Sequence, residues 1–234
     1  MLKNKLNSLE KKLNLLFKNK DLLLNVFIHR SYLNEHKNFY LSSNEKLEFL
    51  GDSVLSLITT LYLYQNYPRL TEGISSDIKS TIVCAESLYQ AAVNLNLGEY
   101  LFLSKGEEKS GGRKNLNILA DSFEALIAAI FLEFGFETSY KFVKKYLFQD
   151  KLDYIIKNKL YQSAKSQLQE YTQAKYKNIP QYELIESTGP EHNRVFKIKV
   201  LINKKEVAYG QGRSKKDAEE NAAKNALKKI KSLL

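Results

Sequence analysis

Along roughly the first two thirds of the chain, apolar residues recur three and four positions apart, which is typical of helices that bury one face. The pattern is clear in "LEKKLNLLF", "VLSLITTLYLY", "AESLYQAAVNL" and "FEALIAAIFLEF". Residues 67–73 and 104–115, where Gly, Pro and charged residues collect, interrupt it. We therefore predict an all-α domain over residues 1–156, with about seven to nine helices and a long polar loop before a helix that starts near Asn117.

After about residue 161 the pattern changes. The segments "QYELIEST", "RVFKIKVLI" and "KEVAYGQG" alternate apolar and polar residues with the two-residue period of half-buried strands. A helical segment, "SAKSQLQEYTQAKY", precedes them, and "SKKDAEENAAKNALKKI" follows, with Ser214 as its predicted N-cap. The order α-β-β-β-α predicts a small α+β domain over residues 161–232, in which both helices lie on one face of a three-stranded antiparallel sheet.

One predicted helix, "NEKLEFLGDSVLSL", carries three carboxylates in an otherwise apolar segment. At 3.6 residues per turn, Glu45, Glu48 and Asp52 lie within about 60° of one another, whereas Leu47 and Val54 face the opposite side. This helix therefore has a core face and a separate acidic face.

The segment "ILADSFEALIAAIF" has the same construction, with Asp121 and Glu124 on one face and Phe123 on the opposite one. The small residues Ala125 and Ala128 lie beside the acids and would let another helix approach closely. We expect the two helices to lie side by side and to bring four carboxylates together.

Four clustered carboxylates, Glu48, Asp52, Asp121 and Glu124, would repel one another unless cations neutralise them. Oxygen ligands favour Mg²⁺ or Mn²⁺ over zinc, for which the sequence has no convincing His or Cys set. The alternative is that these acids are ordinary solvent-facing residues of amphipathic helices. We favour a metal site because the acids are flanked by apolar and small residues instead of the Lys and Gln that are typical of a solvated face.

The formal net charge is +10, and residues 160–234 hold 15 Lys and Arg against 8 Asp and Glu. This excess indicates a polyanionic partner, nucleic acid or an anionic membrane surface; a solvated lysine surface is the alternative. No apolar stretch approaches the ~18 residues of a membrane span, and the N-terminus lacks the features of a signal peptide. Because Cys84 is the only cysteine, we expect a reduced, cytoplasmic setting without disulfides, and Cys84 is predicted to be an inert buried residue.

The C-terminal domain offers a second set of candidate residues. Lys215 and Lys216 fall in the first turn of the last helix, where the helix dipole and free N–H groups attract phosphate. The first helix of this domain carries a polar stripe that could hydrogen-bond the 2′-hydroxyls of a shallow minor groove. The stripe consists of Ser166, Gln169, Glu170 and Gln173. His192, in the loop between the first two strands, is a further candidate, although an ordinary loop residue is the simpler interpretation.

Phe49 borders the acidic face of its helix and points away from the core, so it must be exposed or covered by something else. An exposed aromatic residue beside a metal cluster indicates a subunit interface, for which a symmetric dimer is the usual solution. We therefore predict a homodimer with Phe49 at its interface.

These segments closely resemble the bacterial ribonuclease III family over nearly the whole chain. The resemblance of the first domain rests on "NEKLEFLGDSVLSL", "HRSY", "GEEKSGG" and "ILADSFEALIAAIF". The segments "LQE", "GPEH" and "SKKDAEENAA" are similar to the double-stranded RNA-binding domain that follows it in the family. The resemblance implies an endonuclease domain over residues 1–156 and an RNA-binding domain over residues 161–232.

The resemblance also implies roles for single acidic residues of this sequence. It implies that Mg²⁺, for which Mn²⁺ can substitute, is held by Glu48, Asp52, Asp121 and Glu124. It further implies that Asp52 and Glu124 form the catalytic pair. Glu45 and Glu72 stand at the family's other acidic positions and resemble auxiliary groups near the substrate or the dimer interface.

The resemblance also implies a homodimeric enzyme that hydrolyses phosphodiesters in double-stranded RNA through a metal-activated water. The products would carry 5′-phosphate and 3′-hydroxyl ends, and the substrates would be rRNA precursors and other structured RNAs, without a small-molecule cofactor or a membrane. Two alternatives remain, a regulator that binds duplex RNA through the C-terminal domain without cutting it, and a structural protein associated with the ribosome. The intact set of four acids favours the enzyme.

Overall fold

The structure, a computed structural model, describes residues 2–190 and 193–231. The chain divides into two compact units, Met1–Tyr161 and Gln162–Leu234. In the described part of the first unit, ten α-helices are joined by short turns, with a π-helical turn at Lys144–Phe148. These helices are α1 Leu2–Leu13, α2 Lys20–Asn25, α3 Arg30–Glu35, α4 Glu45–Asn66, α5 Glu72–Ile82, α6 Ala85–Asn94, α7 Lys105–Lys109, α8 Leu116–Phe134, α9 Phe136–Val143 and α10 Gln149–Lys157.

Helix α8 lies at the centre of the first unit. Almost every side chain from Ile118 to Ile130 is buried, and α8 packs against α4, α6 and α9. The asparagine before it fixes its start, because Asn115 Oδ1 accepts hydrogen bonds from the backbone N–H groups of Asn117 and Ile118. Gly135, with φ of 79°, ends it. Between Ile118 and Ile130, Asp121 and Glu124 are only partly buried, whereas the other residues are buried. The two acids therefore mark the polar edge of this stretch of α8.

The start of α4 is fixed by long-range hydrogen bonds. Asn44 is buried, its Nδ2 donates to the carbonyl of Val26 at 3.1 Å, and its backbone N–H donates to the carbonyl of Ile28 at 2.9 Å. Its own carbonyl accepts from the N–H of Glu48. The first, acidic turn of α4 is therefore held against the segment that leads into α3.

The second unit is a three-stranded antiparallel sheet with two helices, as the sequence predicts. Its elements are α11 Ala164–Tyr176, β1 Gln181–Thr188, β2 Val195–Ile202, β3 Lys205–Gly212 and α12 Lys215–Lys231. Both helices contribute to one small core, where Leu168 of α11 and Ala222 of α12 pack with Val200 of β2. Ser214 caps α12, since its Oγ accepts from the N–H of Asp217 at 3.0 Å.

Two expectations about the first unit need correction. The described residues contain ten helices instead of seven to nine, because α2, α3 and α7 span only five or six residues and are too short to show an apolar period. Cys84 is exposed, since it lies at the N-terminal boundary of α6, in the turn after α5, and its Sγ lies 3.2 Å from the carbonyl oxygen of Thr81.

The structure contains no described helix that is both long and apolar enough to cross a bilayer.

Candidate active site

The backbones of α4 and α8 approach closely at Gly51. A Cβ atom built on Gly51 would lie 1.9 Å from the carbonyl oxygen of Glu124, so only glycine allows this approach. Ala125 and Ala128, the small residues expected at a close helix contact, are fully buried. Because Glu48 and Asp52 flank Gly51 on α4, the close approach brings the acidic edges of the two helices together.

Three of the four predicted metal ligands converge. One carboxylate oxygen from each of Glu48, Asp121 and Glu124 lies within 4.8 Å of the other two, and all three residues are partly buried. We call these three residues the acidic cluster. Asp52 is exposed and lies outside the cluster, but its charge is near enough to affect the pKa of Glu124.

The cluster disfavours the ionisation of its members. Burial raises the pKa of Glu124 to about 8, and the charges of Asp52, Asp121 and Glu48 add to the shift. Burial, followed by the charge of Asp121, also raises the pKa of Glu48. Burial raises the pKa of Asp121, although nearby His29 and Arg30 partly offset it. Within the described chain, none of the three acids forms an ion pair with Lys or Arg.

These residues fit a divalent cation. Carboxylate oxygens are the preferred ligands of Mg²⁺ and Mn²⁺, and a cation would remove the repulsion and the burial cost that raise the three pKa values. Nothing in the cluster resembles a zinc site, because its donors are all oxygens. The predicted metal site therefore has a structural basis in Glu48, Asp121 and Glu124.

A cleft of about 720 Å³ opens beside the cluster. Its lining includes Glu45, Glu48 and Asp121, together with residues for which the sequence predicted no role in a site. Those residues include His29, Arg30, Asn44, Glu107 and Asn117. His29, Arg30 and Glu107 belong to "HRSY" and "GEEKSGG", two of the segments that carry the resemblance, but several of these residues lie at or just before helix starts, where a polar side chain is expected to act as a cap.

His29 is the best-defined of these lining residues. Its Nδ1 accepts a hydrogen bond from the backbone N–H of Ser31 at 3.3 Å, and burial lowers its pKa. Burial therefore disfavours the cationic form of the ring, and Nδ1 also lies 2.8 Å from Ser31 Oγ. Arg30 lies next to it, and its Nη1 is 3.8 Å from Glu45 Oε1, so Glu45 is the acidic residue of this cleft with a basic partner.

The two auxiliary acids occupy different places. Glu45 lines the cleft beside the acidic cluster, at the first position of α4. Glu72 is exposed at the first position of α5 and lines a separate cleft with Tyr64 and Leu70. The structure therefore groups Glu45 with the cluster in this chain and does not group Glu72 with it.

Phe49 is 79% exposed, as the sequence predicts. Two further large side chains of α4, Leu57 and Tyr64, are 57% and 79% exposed. At 3.6 residues per turn, the three lie within about 80° of one another. They form an apolar strip along α4, which is an uncommon arrangement for a surface that faces only water.

The second unit presents most of its predicted RNA-binding residues to solvent. Ser166, Gln169, Glu170 and Gln173 are exposed along α11, and Lys215 and Lys216 are exposed in the first turn of α12. Asp217 also lies in that turn and accepts a hydrogen bond from Ser214 Oγ at 2.7 Å, so the helix start carries one acid beside its two lysines. His192 lies outside the described residues.

Comparison with known families agrees with this two-part arrangement. A family described as "Ribonuclease-III-like" matches residues 19–151, and a "Double-stranded RNA binding motif" matches residues 164–230. The chain belongs to the ribonuclease III family. It shares 41% identity over 230 residues with Ribonuclease 3 from Carboxydothermus hydrogenoformans, which covers 98% of this chain and 97% of the relative.

Two further comparisons extend the match. Ribonuclease 3 from Caldanaerobacter subterraneus is 44% identical over 225 residues, which is 96% of this chain and 98% of the relative. A solved structure concerns the region involved in dimer formation of the ribonuclease III nuclease domain from Campylobacter jejuni. It superposes with a TM-score of 0.56 at 36% identity and covers 61% of this chain and 96% of that one. The family relationship therefore covers both units.

Proposed function

We propose that this chain is an endoribonuclease that hydrolyses phosphodiesters in double-stranded RNA with the help of a divalent cation, Mg²⁺ or Mn²⁺. The products would carry 5′-phosphate and 3′-hydroxyl ends, and the substrates would be structured RNAs such as rRNA precursors. The observation that carries the proposal is the acidic cluster, three partly buried carboxylates within 4.8 Å of one another without a basic partner among the described residues. Its occurrence in a chain with a double-stranded RNA-binding motif favours duplex RNA over other phosphodiesters.

We assign cleavage to residues 1–156, with Glu48, Asp121 and Glu124 as metal ligands and Asp52 as the fourth. A divalent cation held by these residues would supply positive charge for the phosphate and would lower the pKa of a water molecule. Because burial raises the pKa of Glu124 to about 8, its protonated form is favoured at neutral pH in the metal-free protein, and a bound cation would favour the carboxylate. Asp52 and Glu124 form the proposed catalytic pair, and His29 with Arg30 forms the polar wall of the cleft.

We assign RNA binding to residues 161–232. The polar stripe on α11 would hydrogen-bond 2′-hydroxyls in a minor groove, and Lys215 and Lys216 would contact phosphates across the next groove. Such a domain spans about 16 base pairs and recognises mainly the shape of the duplex. We therefore expect weak sequence specificity and an affinity that falls steeply with salt.

We further propose that two chains associate through the apolar strip of α4 formed by Phe49, Leu57 and Tyr64. The strip places three large exposed side chains on one face of α4, and it continues from the acidic first turn of that helix. A second copy would cover it symmetrically. Phe49→Ser should shift the chain from dimer towards monomer in sedimentation velocity, whereas Tyr154→Ser, an exposed aromatic on α10, should leave it dimeric. A wild-type chain that sediments as a monomer at micromolar concentration would contradict the interface.

The activity is tested with Glu124→Gln on an end-labelled RNA hairpin in Mg²⁺. The amide keeps the size of the side chain but cannot act as an anionic ligand, so we expect cleavage to fall at least about 100-fold. Duplex binding, measured by gel shift without metal, should be unchanged because Glu124 lies in the other unit.

Two results would reject parts of the proposal. Equal cleavage by Glu124→Gln and wild type would remove Glu124 from the site. A wild-type chain that binds the hairpin but leaves it intact in both Mg²⁺ and Mn²⁺ would favour the alternative, a duplex-RNA-binding regulator.

A further inference from the structure

The start of α11 is held by a carboxylate from another helix. Glu220 of α12 accepts two backbone hydrogen bonds, from the N–H of Ala164 to Oε1 at 2.6 Å and from the N–H of Lys165 to Oε2 at 3.4 Å. The next N–H, that of Ser166, donates to Ser163 Oγ at 3.1 Å. The free donors that begin every α-helix are thus satisfied here, and the first two depend on α12.

Helix α12 is itself seated firmly on the sheet. A Cβ atom on Gly210 of β3 would lie 2.1 Å from the backbone nitrogen of Ala222, so the two backbones touch. Asn221 Nδ2 donates to the carbonyl of Gln211 at 2.8 Å, and Asn225 Nδ2 donates to that of Tyr209 at 2.7 Å. Four helical residues and two strand residues both advance about 6 Å, so these bonds keep α12 in register with β3.

A second contact reinforces the attachment of α11 to α12. Lys165 Nζ lies 2.5 Å from Glu219 Oε2 and 4.8 Å from the centre of the Tyr182 ring on β1. Within the described part of this unit, α11 packs chiefly on α12. The position of α11 is therefore set by adjacent carboxylates on α12 and by its share of the small core.

The two proposed RNA-binding elements meet at this contact. Lys216 lies four residues before Glu220, one turn earlier on the same side of α12, and Ser166 lies two residues after Ala164. A movement of the start of α11 relative to α12 would change the spacing between the polar stripe and the lysines. A rigid duplex must meet both at once, so that spacing determines whether both sets of contacts form together.

We propose that Glu220 is a positioning residue for duplex-RNA binding, which joins the start of α11 to α12 so that both helices contact one duplex. The inference rests on the proposed RNA-binding function of this unit. The positioning role predicts that replacing Glu220 by alanine lowers the affinity for duplex RNA, although the replacement removes a negative charge. Removing a negative charge from an RNA-binding surface should by itself strengthen binding, whereas losing the positioning contact should weaken it.

The experiment uses the full chain in EDTA, where cleavage cannot occur, and a fluorescein-labelled RNA duplex of about 20 base pairs, followed by fluorescence anisotropy. Glu220→Ala removes the charge and the acceptor, and we expect about tenfold weaker binding. Glu220→Asp keeps the charge but is one methylene too short, and it should also bind more weakly. Glu220→Gln loses the charge but keeps an acceptor oxygen, so it should bind nearly as well as wild type.

The dependence on salt separates positioning from a loss of stability. Fewer phosphates engaged at once should make the slope of log Kd against log salt shallower for Glu220→Ala. Ser163→Ala, which weakens the cap of α11 but leaves the contact with α12 intact, should keep the wild-type slope. Glu183→Ala, an acid on β1 paired with Lys199, removes an equal charge and should not weaken binding.

The outcomes are decisive in each direction. Binding by Glu220→Asp and Glu220→Ala that is as tight as wild type, or an equal weakening by Ser163→Ala with an equal change of slope, would overturn the positioning role alone. If Glu220→Ala proves unfolded by circular dichroism, the affinities of Glu220→Asp and Glu220→Gln for the duplex test the positioning role instead. A wild-type chain that does not bind the duplex would instead overturn the proposed function.

Discussion

The acids of the two units differ in whether a basic residue balances their charge. In the first unit, Glu48, Asp121 and Glu124 face one another with raised pKa values and no basic partner among the described residues. In the second unit, acids on the sheet are paired. Lys199 lies 3.2 Å from Glu183 and 2.7 Å from Glu206, and these contacts form a small ladder on the strands.

This difference distinguishes acids whose charge is balanced by lysines within the fold from acids whose charge is left for an external cation to balance. The sheet pairs are exposed and contribute little energy each, but they are complete without an external partner. The acidic cluster is incomplete, because its members repel one another in a partly dehydrated place. A cation is the natural complement of the cluster, whereas nothing further is needed on the sheet.

The largest expected effect comes from separating the two halves of the cluster without changing an acid. In Gly51→Ala, the new Cβ atom would meet the backbone of Glu124, which cannot rotate away, so α4 and α8 must move apart. Metal sites tolerate displacements of only a few tenths of an ångström. We expect cleavage of an RNA hairpin in Mg²⁺ to fall at least about 100-fold.

A second glycine serves as the matched control for this substitution. Gly73 lies near the start of α5, and a Cβ atom added to it would meet no other atom within 4 Å, so Gly73→Ala should leave cleavage unchanged. Circular dichroism shows whether each variant is folded. Full activity of a folded Gly51→Ala chain would mean that the close approach of the helices does not set the site.

A smaller effect is expected from removing the lysines at the start of α12 in the second unit. Lys215→Ala with Lys216→Ala should weaken duplex binding about tenfold near 0.1 M salt and reduce the salt slope by about 2, one unit for each phosphate that a lysine no longer neutralises. Lys224→Ala with Lys228→Ala removes the same charge from later turns of α12, where both lysines are exposed. If both double variants reduce the slope equally, the first turn of α12 has no special role.

The smallest effect concerns stability and pH in the metal-free chain. Glu124 has a folded-state pKa of about 8 against an ordinary value of 4.5, so between these values the folded state holds a proton that the unfolded state has lost. The contribution of Glu124 to stability is therefore most favourable below about pH 4.5 and is lost as pH rises towards 8. We expect the melting temperature of the transition that Mg²⁺ shifts to decline over this range in EDTA. Glu124→Gln should flatten the decline.

For the paired acid Glu206, the contribution to stability changes with pH in the opposite direction to that of Glu124. Hydrogen bonds from Lys199 and Tyr209 lower its pKa, so its contribution is present above its ordinary pKa and is lost as the solution becomes acidic. Glu206→Gln should leave the decline towards pH 8 in place. A decline that persists in Glu124→Gln would show that another group is responsible.

Much of the architecture could be predicted from the chain because its periods are long and regular. The acidic faces of α4 and α8, the strand order of the second unit and the cap at Ser214 all follow from local spacing. The short helices α2 and α3 could not be predicted, since six residues do not complete two turns. The prediction that Cys84 is buried was wrong because a turn position has no period from which burial can be inferred.

The sequence predicted that the acidic faces of two helices would meet, but not which backbone contact would set how closely they approach. Nothing local to "FLGDS" says that the glycine touches Glu124, although a glycine inside an apolar helix is a known signal of close packing. His29 and Glu220 were missed for the same reason. Each acts through a partner that folding alone brings near.

The sequence by itself determined which faces of the helices are acidic, how many strands form and which third of the chain is basic, because these depend on neighbours a few residues apart. Only the tertiary structure decided that Glu48 meets Asp121 and Glu124 while Asp52 lies outside, and that Glu220 caps α11. Such contacts join residues separated by more than fifty positions. Their distances depend on how closely two backbones pack, a property of the whole core that no local pattern encodes.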